Sequence, residues 1–273
     1  MKNNKEFIKL LDCFEEKRKE LKREFKDYPS REEYAKDIAA CFMLCAKAIL
    51  GGHFRVVNNT DGKEHIREIY PTAIELYYHE EGDNRFKDPI MYHTNDRKNY
   101  DYYIEKDGRL KESKSKTPNY FDRRGIDSLP YFPVGSLNPH SSGIDVTFEN
   151  PKERYRASFL IREYNLYFYN KGVPCEHNPV LVKNSTDIYD DMIINGIPLF
   201  DADWIEWIEG RLLSDDEIKQ CWRRNVPDYI KVQCEGYPEL WKKKIYIGDG
   251  LSFSGSGGVK YKKCPLNWQF ARK

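Results

Sequence analysis

Apolar residues recur at helical spacing in the first part of the chain. Over residues 4–26 they are separated by charged residues and predict an amphipathic helix: Phe7, Leu10, Leu11, Phe14, Leu21 and Phe25. Tyr28-Pro29 is expected to end this helix, because the residue before a proline avoids helical geometry. Ser30 and Glu33 form a Ser-x-x-Glu capping box that opens a second helix over residues 31–50. Its second half is nearly all apolar, so we expect it to be buried.

After residue 50 the spacing of apolar residues changes from the period of a helix to that of extended strands. Residues 53–58 and 66–78 predict a hairpin whose turn carries Asn59-Thr60-Asp61-Gly62. Residues 143–150 and 154–169 predict another strand pair around Asn150-Pro151. Shorter strands are expected near the C-terminus, over residues 243–247, 259–262 and 266–271.

Two further segments complete the predicted order of elements. Residues 79–120 are polar, tyrosine-rich and irregular, and residues 200–224 carry helix signals with a cap at Ser214. Without an internal repeat or a clear linker, this order predicts one α+β domain over residues 1–273 rather than a parallel sheet. We expect a helical part, residues 1–50, packed on a curved and mainly antiparallel sheet within residues 51–273.

The composition is that of a folded protein with a well-solvated surface. Charged residues make up 33% of the 273 residues, and aromatic residues make up 14%, with 20 tyrosines. Disordered chains are poor in aromatic residues, so this content argues for a packed core. Tyrosine has an apolar ring and a polar tip, which suits it to a core, an interface or contact with a base.

The charge balance does not single out nucleic acid as a partner. The net charge is +1, although basic runs occur at Lys17-Arg18-Lys19, at Lys242-Lys243-Lys244 and from Lys260 to Lys263. Such runs are usually solvated faces, and the alternative is that one of them tracks phosphates. Seven scattered cysteines and the lack of an apolar run long enough to span a bilayer predict a cytoplasmic protein without a membrane partner.

Motifs for metals, phosphates and common hydrolases are missing from the sequence. Cys41 and Cys45 share a helix face, which favours core packing, and Cys175-Glu176-His177 has no partner pair at zinc spacing. The run Gly255 to Gly258 lacks the Lys-Ser/Thr of a phosphate-binding loop. We therefore expect neither metal nor cofactor, and nucleotide hydrolysis, serine hydrolysis and zinc proteolysis are disfavoured.

Polar residues within apolar strands are the candidates for chemistry. Glu75 lies between Ile74 and Leu76, and a carboxylate in such surroundings is costly to bury unless it has a partner or acts as a general base. Arg162 follows Leu160 and Ile161, so it needs a buried acid or an anionic ligand. The alternative to a functional role is an internal ion pair of Arg162 with Glu75, Asp145 or Glu163.

Several of these motifs together resemble the alkyladenine (3-methyladenine) DNA glycosylase family. Residues 43–51 followed by residues 53–57 are similar to the opening of that family, and Glu75-Leu76-Tyr77 stands where its water-activating Glu-Ala-Tyr lies. Residues 88–93 are similar to its Asp-x-x-x-His, with one residue more, and residues 159–163 match its Leu-Ile-Arg strand. Residues 264–270 are similar to its final strand.

The chain also departs from the pattern of that family. The family places Tyr-Gly before the strand with the arginine, and this tyrosine helps to hold a duplex open. Ser142-Gly143-Ile144-Asp145 occupies this place instead, so the chain lacks the tyrosine that acts as a wedge in the duplex. The asparagine of the family aligns near Glu149 or Asn150. The resemblance therefore implies a glycosylase-like core that keeps the fold and the acid.

The resemblance implies hydrolysis of an N-glycosidic bond that releases a modified or unusual base from nucleic acid, with DNA as the expected partner. The implied catalytic residues are Glu75, His93 and Arg162, and the implied substrate-binding residues are Tyr77, Tyr92 and Asn150. His140 and Asp145, which flank Gly143, have no clear counterparts in the family and are further substrate-binding candidates as polar residues beside apolar strands. The flipped base is expected to stack between Tyr77 and Tyr92. Two alternatives stay open: a non-catalytic nucleic-acid-binding module on the same fold, and a hydrolase of free nucleosides or nucleotides. The sequence leaves the oligomeric state open.

Overall fold

The computed structural model describes residues 5–60, 63–82, 85, 86, 88, 102–104, 110–112, 131–140, 143–170, 173–174, 179–183, 188, 205–221, 223, 251–253, 259–261 and 266–273. Two helices precede a strongly curled antiparallel sheet, and the helices pack on one face of it. The predicted α+β class with N-terminal helices on a curved sheet is confirmed. In the described part of the chain, no helix is long and apolar enough to cross a bilayer.

The two helices are α1, Lys5–Glu20, and α2, Arg31–Gly51. Helix α1 ends earlier than residue 26, because Lys22 adopts a left-handed backbone with φ 53° and a separate 3-10 turn follows at Phe25–Asp27. The predicted N-cap of α2 is confirmed: the hydroxyl oxygen of Ser30 accepts a hydrogen bond from the backbone N–H of Glu33 at 3.2 Å.

The strands follow in chain order. They are β1 His53–Thr60, β2 Lys63–Glu80, β3 Tyr102–Ile104, β4 Leu110–Glu112, β5 Ser136–His140, β6 Gly143–Thr147, β7 Tyr155–Asn170, β8 Val173–Pro174, β9 Val180–Val182, β10 Ile205–Ile208, β11 Ile218–Cys221, β12 Leu251–Phe253, β13 Val259–Tyr261 and β14 Gln269–Arg272. The predicted hairpin is confirmed as β1 and β2, and the predicted strand pair as β6 and β7. The predicted strand 243–247 lies outside the described residues.

The main sheet has the order β10-β1-β2-β7-β6-β5, and β14 also pairs with β2. Among the described residues it comprises ten strands. The long strands β2 and β7 form its centre and pair antiparallel from His65 opposite Asn170 to Glu80 opposite Tyr155. Side chains on these two strands alternate between the face that meets the helices and the opposite face.

The predicted helix over residues 200–224 is wrong in the described residues 205–221. These form β10, a 3-10 turn and β11, because Ile205 and Trp207 are buried while Glu206 is exposed, which is the period of a strand. The cap at Ser214 does form together with Glu217, but it opens only a single 3-10 turn, Asp215–Glu217.

Aromatic rings fill the space between the helices and the sheet. The ring of Phe14 on α1 lies 5.1 Å from that of Phe148, and Phe42 on α2 stacks on Phe148 at 5.5 Å. Cys41 and Cys45 are buried on α2, which confirms their predicted place in the core. The second half of α2 is buried as expected, since Phe42, Ile49 and their neighbours belong to this cluster.

A β-bulge interrupts the pairing of β2 with β7. Pro71 pairs with Tyr164 and Ala73 with Glu163, but Ile74 pairs with Ile161. Thr72 and Arg162 therefore lie in the irregular part of the ladder. Bulges change the direction in which a side chain points and occur often beside functional sites.

Candidate active site

The face of the sheet that points away from the helices carries a continuous set of buried polar side chains. We call it the polar face, and its polar members are Glu75, Tyr77 and His79 on β2 with Glu81 directly after it, Arg156, Ser158 and Arg162 on β7, and Asp145 and Thr147 on β6 with Glu149 two residues after it. Burying ionisable groups is costly, so a buried charged face is a candidate for function.

Glu75, Tyr77 and Arg162 form a closed triangle on this face. The guanidinium Nη2 of Arg162 lies 2.6 Å from Oε2 of Glu75 and donates to the hydroxyl oxygen of Tyr77 at 3.0 Å. The hydroxyl of Tyr77 donates to the same Oε2 at 2.9 Å. The Glu75 side chain is 0% exposed, whereas that of Arg162 is 16% exposed. Arg162 is therefore the member of the triangle that reaches the surface.

Both donors of the triangle keep their protons. Burial raises the pKa of Tyr77 well above its ordinary value, so Tyr77 stays a neutral phenol. Burial acts to lower the pKa of Arg162, but the neighbouring Tyr77 and Glu75 more than offset this, so its pKa is raised. The carboxyl group of Glu75 thus faces two fixed hydrogen-bond donors, which restrict its orientation.

A second buried ion pair supports Tyr77 from one side. Arg223 contacts Asp88 through two bonds, from Nη1 to Oδ2 at 2.8 Å and from Nη2 to Oδ1 at 3.1 Å. The guanidinium of Arg223 lies 5.0 Å from the ring centre of Tyr77 and 5.1 Å from that of Trp268. One ring face of Tyr77 is therefore covered by Arg223.

A third charged cluster closes the far end of the polar face. Arg156 is fully buried and contacts Glu81 at 2.5 Å and Glu149 at 3.0 Å. The hydroxyl of Tyr131 donates to Glu81 at 2.8 Å, and its ring lies 4.1 Å from the Arg156 guanidinium carbon. This cluster is not among the site residues predicted from the sequence. Its signal is the alternation Glu75-x-Tyr77-x-His79-x-Glu81 along β2 and just beyond it, matched by Arg156-x-Ser158-x-Leu160-x-Arg162 on β7.

The structure brings four of the predicted site residues to the polar face. Glu75, Tyr77 and Arg162 are in contact, and Asp145 on β6 pairs with Leu160, which pairs with Glu75 on its other side. The ion pair between Arg162 and Glu75 is also the structural alternative that the sequence left open. Met91, Tyr92 and His93 lie outside the described residues.

Asn150, a predicted substrate-binding residue, makes its side-chain contacts away from the polar face. Its side chain donates to Glu15 on α1 and accepts from the backbone N–H groups of Lys152 and Glu153. The neighbouring Glu149 points to the polar face, so Asn150 points to the opposite one and stabilises the turn into β7. His140 ends β5, where it pairs with Gly143, and its side chain lies outside the described residues.

In the basic run Lys17-Arg18-Lys19, the central residue Arg18 is largely buried and so is not part of a solvated face. Arg18 lies 4.7 Å from the ring centre of Tyr155 and 2.7 Å from Glu153, with only 13% of its side chain exposed. Lys17 and Lys19 remain exposed and pair with Glu20 and Glu15 of the same helix. Arg18 therefore anchors α1 to the sheet. The side chains of the two C-terminal basic runs lie outside the described residues.

No protein-family model matches this chain, and no curated protein or solved structure matches it either. The resemblance to the glycosylase family thus rests on the sequence motifs given above. Among the described residues, no group of three or more His, Cys, Asp and Glu side chains is placed to hold a metal ion.

Proposed function

We propose that this chain hydrolyses the N-glycosidic bond of a modified or unusual base in nucleic acid, with Glu75 as the residue that activates water. The supporting observation is the fully buried carboxylate of Glu75, held by Tyr77 and Arg162 on the polar face. Replacing a buried ion pair by apolar residues of similar volume is often neutral or stabilising, so stability alone is a weak explanation for the pair of Glu75 and Arg162.

In the proposed reaction, Glu75 accepts a proton from a water molecule as the water oxygen bonds to the anomeric carbon. The electron pair of the bond between carbon and nitrogen leaves with the base. The sugar carries positive charge in the transition state, and the nearby carboxylate stabilises this charge.

Tyr77 and Arg162 act on the orientation of Glu75. Their two donors converge on Oε2 of Glu75, so the carboxylate is held in one direction before substrate binds. Arg162 is also the least buried member of the triangle, with 16% of its side chain exposed, and a guanidinium binds phosphate well. Arg162 is therefore the group that a backbone phosphate next to the target base would meet.

The roles of His93 and Tyr92 remain predictions from the family resemblance. His93 would orient the sugar-phosphate or the base, and Tyr92 would stack on the base together with Tyr77. DNA as the nucleic acid is likewise part of the proposal, since the near-neutral charge of the chain does not select it.

The decisive experiment is a mass-spectrometric screen for bases released from modified duplex DNA, single-stranded DNA, RNA and free nucleosides. Wild type is compared with Glu75→Gln, which keeps the shape of the side chain and removes its charge. Glu64→Gln is the matched control, because Glu64 lies on the same strand and is exposed. Each variant is assayed at a temperature at which circular dichroism shows it to be folded.

We expect wild type and Glu64→Gln to release a base and Glu75→Gln to release none. A loss of about 100-fold or more is the size expected for removal of a general base. Full activity of Glu75→Gln would refute its role. Binding to DNA without release by wild type would favour the non-catalytic module. Release from mononucleosides with weak salt dependence would favour a hydrolase of free nucleosides.

A further inference from the structure

The side of the sheet that carries the polar face also carries a second cluster, beyond the β-bulge. Ile69 on β2 faces the helices, so its neighbours Glu68 and Tyr70 lie on the opposite side, which is that of the polar face. Glu68 pairs with Arg55 on β1 and with Tyr167 on β7. We call this cluster the aromatic patch, and its members are His53, Arg55, Glu68, Tyr70, Tyr167 and Tyr169.

The carboxylate of Glu68 holds the aromatic patch together. Its Oε1 atom accepts a hydrogen bond from Nη2 of Arg55 at 2.8 Å. Its Oε2 atom accepts hydrogen bonds from the hydroxyls of Tyr70 at 2.9 Å and Tyr169 at 3.2 Å. The charge of Glu68 is thus offset by Arg55, and the polar ends of two tyrosines are fixed. The patch therefore offers a partner mainly its rings rather than a net charge.

The rings of the aromatic patch are packed against each other and still reach the surface. The ring centre of Tyr70 lies 4.3 Å from that of His53, in a stacked arrangement, and 5.1 Å from that of Tyr167, edge to face. Tyr70, Tyr167 and Tyr169 are all partly exposed. Rings held in place in this way lose little conformational freedom when a flat molecule stacks on them.

The aromatic patch continues the line of the proposed active site along β7. Arg162 and Tyr167 lie on one strand and are five residues apart, which is a distance of at most about 17 Å. Successive nucleotides lie at least about 3.4 Å apart along a strand. A nucleic-acid strand whose target nucleotide lies at Glu75 would therefore pass Arg162 and reach Tyr167 within about five nucleotides.

We propose that the aromatic patch binds the single-stranded part of a nucleic acid next to the target nucleotide, with Tyr167 stacking on an unpaired base. This inference rests on the proposed function, which supplies nucleic acid as the partner. Sheets with exposed aromatic rings bind unpaired bases by stacking, because every base has an apolar face. In a duplex those faces stack on one another, so the patch selects single strands.

The first test measures binding by the fluorescence anisotropy of labelled oligothymidine and oligouridine of about 15 nucleotides, and of a duplex of equal length. Wild type should bind the single strands more tightly than the duplex, and the comparison of the two single strands separates DNA from RNA. Tyr167→Leu should bind them about tenfold or more weakly, the loss expected for one stacked base. Tyr167→Phe keeps the ring and should bind nearly as tightly as wild type.

Phe168→Leu is the matched control for the loss of a ring. Phe168 is the next residue of β7, is also partly exposed, and packs against the core on the opposite side of the sheet. This variant should bind single strands as wild type does. Tyr167 is the ring to change because Tyr70 and Tyr169 also hold Glu68 through their hydroxyls.

The second test uses the length of the substrate. An oligonucleotide of about three nucleotides with the target base at its centre ends before Tyr167, whereas one of about 15 nucleotides covers it. Tyr167→Leu should raise KM for the long substrate and leave its kcat unchanged, because Tyr167 is distant from Glu75. For the short substrate both constants should stay at their wild-type values.

A third measurement keeps the test valid if Tyr167→Leu does not fold. Tyr167→Trp keeps a ring and adds a tryptophan emission, which a stacked base quenches. This added emission should fall when oligothymidine binds, whereas the emission added by Phe168→Trp should not. Equal responses of the two variants would refute a stacking role for Tyr167.

The outcomes separate this inference from the proposed function. Tyr167-dependent binding of single strands without release of any base refutes the proposed function alone. Base release with equal binding by wild type and Tyr167→Leu, or with tighter binding to duplex than to single strands, refutes this inference alone. A change in the oligomeric state of Tyr167→Leu in analytical ultracentrifugation would assign the patch to self-association and refute it as well.

Discussion

Arg162 reaches Glu75 from a β-bulge, and its Nη2 atom lies 2.6 Å from the Oε2 atom of Glu75. In a regular ladder Arg162 would pair with a residue of β2, but the shift between Ala73 and Ile74 leaves it in the irregular part. Strand alternation two residues after Leu160 puts Arg162 on the polar face, and the contacts with Glu75 and Tyr77 hold its guanidinium there.

The first prediction concerns the coupling of this ion pair. Arg162→Gln should lower the free energy of unfolding by about 3–5 kcal/mol, because the buried Glu75 loses a guanidinium at 2.6 Å. Adding Glu75→Gln should restore part of the loss, since no charge is then left without its partner. Urea denaturation of wild type, both single variants and the double variant measures the coupling energy.

A coupling of about 0.5–3 kcal/mol is expected for residues in direct contact. Arg67→Gln on β2 is a control for removal of an arginine from the central strands, because Arg67 is only partly buried. If the effects of the Arg162 and Glu75 substitutions simply add, the pair is not coupled and the triangle does not hold the carboxylate.

The second prediction concerns the support of Tyr77 by Arg223. Arg223→Lys keeps the charge but removes the two-bond contact with Asp88 and the flat surface against Tyr77. We expect a loss of about 1.5–3 kcal/mol in the free energy of unfolding, the range for hydrogen bonds to charged groups. Thermal or urea denaturation measures it.

Arg211→Lys is the matched control for this substitution. Arg211 is exposed and pairs with Glu217 at the surface, so the change should cost no more than about 1 kcal/mol. An equal effect of the two substitutions would mean that the Asp88 contact adds nothing beyond charge.

The third prediction concerns the pH dependence of stability. Burial lowers the pKa of His53 below its ordinary 6.5, and Arg55 adds to this, while Glu68 acts in the opposite direction without offsetting it. The unfolded chain thus binds the proton more readily than the folded chain. The stability associated with neutral His53 is fully present above about pH 6.5 and is lost as the pH falls through the lower folded pKa.

His53→Phe tests this dependence and keeps the stacking on Tyr70, whose ring centre lies 4.3 Å from that of His53. Between about pH 7.5 and about pH 5.5, the free energy of unfolding should fall less in the variant than in wild type. His65→Phe provides a control at a second, partly buried histidine. An equal fall in wild type and His53→Phe would contradict the prediction.

Periodicity predicted most of the regular structure that the described residues show. Both helices, the hairpin of β1 and β2 and the pair of β6 and β7 follow from local apolar spacing and turn residues. The helix predicted over residues 200–224 failed because Ile205 and Trp207 pack as a strand against β1, and this partner is distant in sequence. Helix α1 ends before Lys22, whose backbone is left-handed. The apolar pattern continues to Phe25, so the sequence did not indicate this end.

The sequence by itself determined that Glu75 and Arg162 lie in apolar strands and need partners, since the cost of burying a charge depends on its immediate neighbours. Only the tertiary structure decided that Glu75 and Arg162 form an ion pair with each other. It also decided that Asp145 lies in the same row of the sheet as Glu75, and that the side chain of Asn150 bonds to Glu15 on α1. The reason is that strand pairing and a bulge join residues far apart along the chain, and one residue of register changes the face on which each side chain lies.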